Sequence, residues 1–232
     1  MAVNFLHPSE LERLRGHDTA PPPKPVIPSP SDLILLNGAR WGRESALGDV
    51  RILRKAPEKE TLHAALATSF LANEAAGNME LTVVVSRHLR SIRIKHVETR
   101  VLEEHQRWAA GSLEALLNVD GTVQDLVRDF IGAKVASPES ALAERLVGWL
   151  ADRRVINREV KSRRSLGVVP RKRERLLLPP EVYRRMNGPE SAMAARLMSD
   201  ADETRHELMA ELLSDIRAAF VDRTEKPGAS SS

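Results

Sequence analysis

Hydrophobic and small residues recur three and four positions apart along most of the chain, which is the spacing of a helix with one buried face. The clearest case is 58–76, where Leu62 and Leu66 share a face and Gly77 follows at a position that favours a helix end. The same spacing predicts further helices over 102–117, 122–135, 138–152 and 181–186, and a final helix or helix pair over 190–222. The expected core residues of 102–117 are Trp108, Leu113, Leu116 and Leu117.

Three segments are predicted to form β-strands, and the second and third alternate apolar and polar residues with the period of two that is typical of strands. They are 79–85, 91–101 and 153–175, and the last is long enough for a hairpin that turns near 162–166 or at 167–170. Residues 32–36 form a short apolar element, and 39–60 has no regular pattern. The predicted fold class is mainly α: a helical globular domain with a few short strands and one protruding basic β-hairpin.

Prolines divide the chain into regions. Six of the residues 21–30 are proline, which excludes both helix and central strand, so 17–31 is predicted to be an extended linker. Before it, 1–16 is predicted to contain a short helix over 9–15. The main domain is expected to span 32–222, and 223–232 is expected to be a disordered tail.

The composition restricts the class of protein. The chain has no cysteine, which excludes disulfides and thiolate chemistry and fits a reducing cytoplasm. The N-terminal residues lack the pattern of a secretory signal, and the apolar runs are too short to span a bilayer. We therefore expect a cytoplasmic protein whose membrane contact, if present, is peripheral.

The motifs of common enzymes are missing from the sequence. There is no nucleophile elbow of the Gly-x-Ser-x-Gly type and no phosphate-binding glycine loop. Two Glu-x-x-His pairs, Glu60–His63 and Glu203–His206, fall on predicted helices and leave a weak hypothesis of a metalloprotein. The expectation is a non-enzymatic protein with no catalytic residues, no cofactor and no metal.

The charge is concentrated in one segment. Residues 153–175 contain ten Lys and Arg against only Glu159 and Glu174, a local charge of +8 in a chain whose formal total is +3. Such a segment favours a phosphate-bearing partner, either lipid headgroups or nucleic acid. The residues expected to contact it are Arg163, Arg164, Arg171, Lys172 and Arg173, with Arg153 and Arg158 flanking.

Three stretches carry a resemblance to a known family. They are Glu144 to Val147, Arg154 to Ile156, and Arg163 to Arg171. In this order they resemble the signature of the Golgi phosphoprotein 3 family, in which a helix end "R-L-V-x-x-G-V-L" leads into a basic hairpin "L-G-L-F-P-R". The segments 32–36 and 62–81 resemble the leucine-rich opening and the first core helix and strand of that family. Arg154 stands where the family motif has glycine.

The resemblance implies a mostly helical fold that binds phosphatidylinositol 4-phosphate at the cytoplasmic face of a membrane. It also implies an adaptor role and self-association through the hairpin, here 155–178. The family's lipid site uses a tryptophan before the first core helix, an arginine in that helix and two arginines on the helix before the hairpin. Here 50–61 has no tryptophan, and the arginine positions fall near Leu66 and on Ser140 and Ala143, with Arg145 as a partial substitute.

The sequence therefore predicts a divergent member of this family, a peripheral-membrane protein that makes a broad electrostatic contact with anionic lipid. The alternative is a winged-helix protein that binds nucleic acid, with the helix 138–152 preceding the basic hairpin as its wing. Both interpretations use the same cationic residues, so the sequence alone leaves both open.

Overall fold

The computed structural model describes residues 27–43, 51–88, 92–102, 105–165 and 168–224, and for 87–88, 92–93, 161–165 and 168–174 it describes the backbone alone. The described residues form eight helices and seven strands. The helices are α1 Pro30–Gly38, α2 Lys59–Ala75, α3 Leu113–Leu116, α4 Val123–Ile131, α5 Pro138–Asp152, α6 Pro180–Met186, α7 Pro189–Thr204 and α8 His206–Arg223. The strands are β1 Arg40–Arg43, β2 Arg51–Lys55, β3 Met79–His88, β4 Ile92–Val101, β5 Gly121–Thr122, β6 Asn157–Ser165 and β7 Val168–Leu178.

The central element of the core is α2. Its middle, from Leu62 to Asn73, is buried on nearly every face, and α1, α7 and α8 pack against it. Small residues such as Ala65 and Ala67 allow these neighbours to approach closely. A second, smaller cluster joins α1, α5, α6 and α7 to the buried residues Val155, Ile156 and Leu178. The base of the predicted hairpin is therefore part of the hydrophobic core.

The strands form two antiparallel sheets in the described part of the chain. One has the order β1-β2-β7-β6 and the other the order β3-β4-β5. The fold is thus a mixed domain, more than half helical, with two small antiparallel sheets. The prediction of a helical globular domain with short strands is confirmed in part, but the described protein is not plainly mainly α. The basic hairpin β6–β7 is present, but its base belongs to a four-stranded sheet because Leu177 and Leu178 pair with Ile52 and Arg51 of β2.

Two predictions from local pattern were wrong. The segment 39–60 contains β1 and β2, which pair with each other, and β2 also pairs with β7, more than a hundred residues later in the chain. Among its described residues, the segment 102–117 is helical only in α3. The Asn78 side chain accepts hydrogen bonds from the backbone N–H groups of His105 and Gln106 and holds that region in a non-helical path. Leu116, expected in the core, is 40% exposed.

The boundaries of the domain also differ from the prediction. Pro30 is the first residue of α1, and Ser29 caps the helix with Asp32, so ordered structure includes the last residues of the predicted linker. Gly132 ends α4 before residue 135. The predicted segments 1–16 and 17–26, and the tail from 225, lie outside the described residues. Within the described ranges, no helix has both the length and the apolar character needed to cross a membrane.

Candidate functional site

The basic hairpin begins directly at the end of α5. Arg154 has φ +60°, and it is the one non-glycine residue with a positive φ in the described part of the chain. The N–H of Arg154 donates to the Ala151 carbonyl at 3.0 Å and the N–H of Val155 donates to the Leu150 carbonyl at 2.9 Å. This is the pair of bonds that closes a helix with a left-handed residue, a position that usually holds glycine. The turn places Val155 and Ile156 in the core and starts β6.

The hairpin extends beyond the sheet to which its base belongs. β2 pairs with β7 only at Leu177 and Leu178 among the described residues, whereas β6 and β7 pair with each other from Asn157↔Leu177 as far as Ser165↔Val168. Ser165 pairs with Val168, so the two strands are connected through residues 166–167, which lie outside the description and overlap both predicted turn positions. The charged positions are therefore on the part of the hairpin farthest from the core.

The register of the hairpin opposes like charges. Lys161 pairs with Arg173 and Arg163 pairs with Arg171. Directly opposite positions of an antiparallel pair share a face, with Cβ atoms about 4.5–5.5 Å apart. Because side-chain positions alternate along a strand, these four positions lie on the same face, together with the Glu159↔Arg175 pair. That face carries five basic positions against one acidic position.

Lys172 and Arg164 are placed differently. Lys172 is opposite Ser162 on the other face, and Arg164 lies where the register shifts between Arg163 and Ser165. Arg158 is exposed, opposite Leu176 and nearer the core. Val160, on the same face as Arg158, is 56% exposed. Six of the eight predicted contact residues thus belong to the hairpin strands.

Arg153 is not part of this surface. Its guanidinium donates two hydrogen bonds to the carboxylate of Asp32, one of them at 2.9 Å, and the Arg153 side chain is 13% exposed against 1% for Asp32. The ion pair fixes the end of α5 to the start of α1. This corrects the expectation that Arg153 flanks the phosphate contact, because a buried arginine held by a buried carboxylate is not available to a surface ligand.

Arg145 also binds groups within the fold. Its guanidinium donates to the carbonyls of Phe130 at 2.6 Å and Ile131 at 3.2 Å, at the end of α4. The guanidinium carbon lies 5.5 Å from the ring centroid of Phe130 and 5.4 Å from that of Trp149. Burial lowers the pKa of the Arg145 guanidinium. These contacts satisfy the last carbonyls of a helix, so Arg145 does not substitute for a lipid-binding arginine.

A separate cleft lies where the family resemblance places a phosphoinositide site. Its volume is about 580 Å³, and Pro57, Ser140 and Ala143 line it. The charged residues that line it are Lys55, Lys59, Glu58, Glu60, Glu139 and Glu144. Lys55 contacts Glu58 at 2.5 Å and Lys59 contacts Glu139 at 3.1 Å. Four carboxylates against two ammonium groups disfavour a phosphate at this place.

The two Glu-x-x-His pairs do not converge. His63 is buried against the Phe220 ring, with centroids 4.9 Å apart, whereas Glu60 is exposed. Glu203 and His206 belong to different helices, because α7 ends at Thr204 and α8 begins at His206. Among the residues with described positions, no three His, Asp or Glu side chains are grouped as a metal ion would require.

Sequence reasoning missed a second basic hairpin, formed by β3 and β4. Residues 81–97 contain Arg87, Arg90, Arg93 and Lys95 and no acidic residue. A count of charged residues along the chain identifies this second basic segment. The larger charge of 153–175 directed the prediction to that segment alone. No protein-family model, curated protein or solved structure matches the chain, so the resemblance to the Golgi phosphoprotein 3 family remains a prediction.

Proposed function

We propose that this protein is a non-enzymatic peripheral-membrane protein that binds anionic lipid headgroups at the cytoplasmic face of a membrane through the outer part of the β6–β7 hairpin. The observation that carries the proposal is the register, which opposes Lys161 to Arg173 and Arg163 to Arg171. Like charges directly opposite on a sheet destabilise it, and a layer of phosphates offsets that repulsion.

The size of the effect indicates a weak and salt-sensitive contact. Each basic residue near an anionic membrane contributes about 1 kcal/mol. Five such residues, Arg163, Arg164, Arg171, Lys172 and Arg173, would supply about 5 kcal/mol, which corresponds to a Kd of about 0.1–1 mM. A single hairpin therefore gives reversible attachment, and a second contact or self-association would be needed for stable residence.

The conformation of Arg154 supports the family resemblance. The family motif has glycine at this position, and here the residue adopts the left-handed conformation that glycine adopts most readily. The order of elements, with α5 leading directly into a basic hairpin, also agrees with the motif. On this basis an adaptor role is part of the proposal. The cleft lined by Glu139 and Glu144 favours general anionic attraction over a phosphatidylinositol 4-phosphate pocket.

Self-association through the hairpin is a further part of the proposal. β6 is an edge strand of its sheet, and edge strands present unpaired backbone groups to other chains. The exposed Val160 lies on this strand. Binding to a membrane would concentrate copies of the protein and favour such pairing.

The winged-helix alternative is less well supported. A recognition helix needs basic or polar residues facing the DNA groove, but the charged residues of α5 are Glu139, Glu144, Arg145 and Asp152. Arg145 is held by the end of α4, and the remaining three are acidic. A helix of this charge would be repelled by the DNA backbone.

Co-sedimentation with vesicles tests the proposal. Wild type is expected to bind phosphatidylcholine vesicles that contain phosphatidylserine, to release them as salt is raised, and to ignore vesicles of phosphatidylcholine alone. The variant Arg163→Glu/Arg164→Glu/Arg171→Glu should lose binding. The matched control replaces three exposed arginines of other helices, Arg184, Arg196 and Arg217, with Glu, so its net charge changes by the same amount. Because these residues lie outside the hairpin, this variant should retain vesicle binding.

Two further measurements distinguish lipid binding from DNA binding and test which lipid headgroup is preferred. Fluorescence anisotropy with duplex DNA at matched salt tests the alternative, and tight DNA binding without vesicle binding would overturn the proposal. Vesicles in which phosphatidylinositol 4-phosphate replaces phosphatidylserine at equal charge test headgroup preference. Circular dichroism of each variant checks that the fold is unchanged.

A further inference from the structure

We infer that the β3–β4 hairpin is a second contact with the same anionic lipid surface, made by Arg87 and Arg93 together with the aliphatic residues Val85 and Ile94. The inference rests on the proposed function for the nature of the surface, and it adds a second, independent element.

The charge of this hairpin has one sign. All four ionic residues of 81–97 are basic, and the nearest acids along the sequence, Glu80 and Glu98, lie at the base of the hairpin. One of the four, Lys95, is bound by Glu207 of α8 at 2.7 Å, a contact that raises the pKa of Lys95 and lowers the pKa of Glu207. Lys95 therefore joins the hairpin to the start of α8, and the charge beyond it is uncompensated within the segment.

The register repeats the arrangement found in the β6–β7 hairpin. Arg87 is directly opposite Arg93, two positions beyond the Val85↔Lys95 pair on the same face. Two separate hairpins of this domain thus oppose arginine to arginine across a strand pair. Since such pairs destabilise an isolated sheet, their repetition indicates a shared external partner of negative charge.

The apolar residues beside these arginines favour a lipid surface over nucleic acid. Val85 is 50% exposed and Ile94 is 42% exposed, one on each face of the hairpin. Aliphatic side chains next to cations match the boundary between headgroups and acyl chains, where the charges meet phosphates and the aliphatic groups leave water. Single-stranded nucleic acid would favour aromatic residues for base stacking, and none occurs in 81–97.

Two contacts change the expected affinity. Two arginines near an anionic membrane contribute about 2 kcal/mol, a factor of about 30 in the partition coefficient. Both hairpins are anchored to one set of packed helices, because α2 contacts β3 and α8 contacts β3 and β4, while α1, which packs on α2, joins α5 at the base of β6–β7. If both hairpins reach one surface, as the inference requires, binding of one holds the other at a high effective concentration near it.

Charge reversal of each hairpin separates the inference from the proposed function. The variants Arg87→Glu/Arg93→Glu and Arg163→Glu/Arg171→Glu change the net charge equally, and Arg184→Glu/Arg196→Glu is the matched control. Each hairpin variant should lower partition onto phosphatidylserine-containing vesicles by at least tenfold, and the control by less than twofold. If only Arg163→Glu/Arg171→Glu loses binding, the second contact is refuted and the proposed function stands. If only Arg87→Glu/Arg93→Glu loses binding, the first hairpin is refuted instead.

A fluorescent label gives a second readout that leaves every arginine in place. The chain has no cysteine, so Val85→Cys can carry a single polarity-sensitive fluorophore. Its emission should shift to the blue on phosphatidylserine-containing vesicles. The same label on Val221→Cys, an exposed position of α8 (73%), should not shift. A label at Val85 that stays in a water-like environment on bound protein would overturn the inference, as would an equal response to duplex DNA.

Discussion

The guanidinium of Arg153 donates two hydrogen bonds to the carboxylate of Asp32, across 121 residues of sequence. Asp32 also accepts a hydrogen bond from the backbone N–H of Ser29 at 2.9 Å. Beside it, the buried carboxylate of Glu114 accepts from the N–H and the hydroxyl of Ser31, at 2.8 and 3.0 Å. This polar cluster joins α1, α3 and α5 beneath the base of the basic hairpin, and its hydrogen bonds satisfy charges that burial would otherwise penalise.

Substitution of Arg153 should destabilise the fold without changing lipid contact. Arg153→Met leaves Asp32 buried and unpaired, so the free energy of unfolding should fall by about 3–5 kcal/mol. Arg154→Met removes the same charge from an exposed neighbour and should change it by less than about 0.5 kcal/mol. Urea denaturation measures both. A loss below 1 kcal/mol for Arg153→Met would contradict the role assigned to the ion pair.

Glycine at position 154 should stabilise the protein. Arg154 has φ +60°, where a side chain costs about 1–2 kcal/mol, and Arg154→Gly removes that cost while adding backbone entropy to the unfolded chain. We expect a net gain of about 0.5–1 kcal/mol in the free energy of unfolding. Arg154→Val, which is β-branched, should lose stability at the same position. If both variants change stability alike, the left-handed conformation is not the determinant.

The pH dependence of stability should reveal the buried carboxyl of Glu114. Burial, followed by the charge of Asp32, raises the pKa of Glu114 above its ordinary value of 4.5. The folded state then holds a proton that the unfolded state has already released, so this group lowers stability as pH rises from 4.5 through the folded pKa. In Glu114→Gln the decline should be absent. Parallel stability curves for wild type and variant over this range would contradict the assignment.

His63 should have the opposite effect on the pH dependence of stability, with a loss as pH falls. Burial, and then the charge of Lys59, lowers the pKa of His63 below 6.5, while Glu139 and Glu60 oppose the shift and Arg217 adds to it. The unfolded state therefore takes up a proton before the folded state does, and stability is lost as pH falls below 6.5. His63→Leu should remove this loss. The difference in slope is at most about 1.4 kcal/mol per pH unit, and denaturation at several pH values measures it.

Local patterns predicted the elements that local interactions form. The limits of α2 were predicted closely because the spacing of its apolar residues and the glycine that follows it are local features of the sequence. The strands β3 and β4 followed from alternation in the same way. β1 and β2 were missed because their segment has no regular pattern and β2 completes its sheet through a non-local pairing with β7. The segment 102–117 was misassigned because the Asn78 side chain competes for its backbone groups.

The sequence by itself determined that the chain carries a concentrated cationic segment and that this segment forms a hairpin. Those properties depend on which residues are neighbours along the chain. Only the tertiary structure distinguished Arg153 and Arg145, which bind groups inside the fold, from the arginines on the outer part of the β6–β7 hairpin. The reason is physical: charge is a property of a residue, whereas burial and hydrogen-bond partners depend on segments that folding brings from distant positions, here Asp32 and the end of α4.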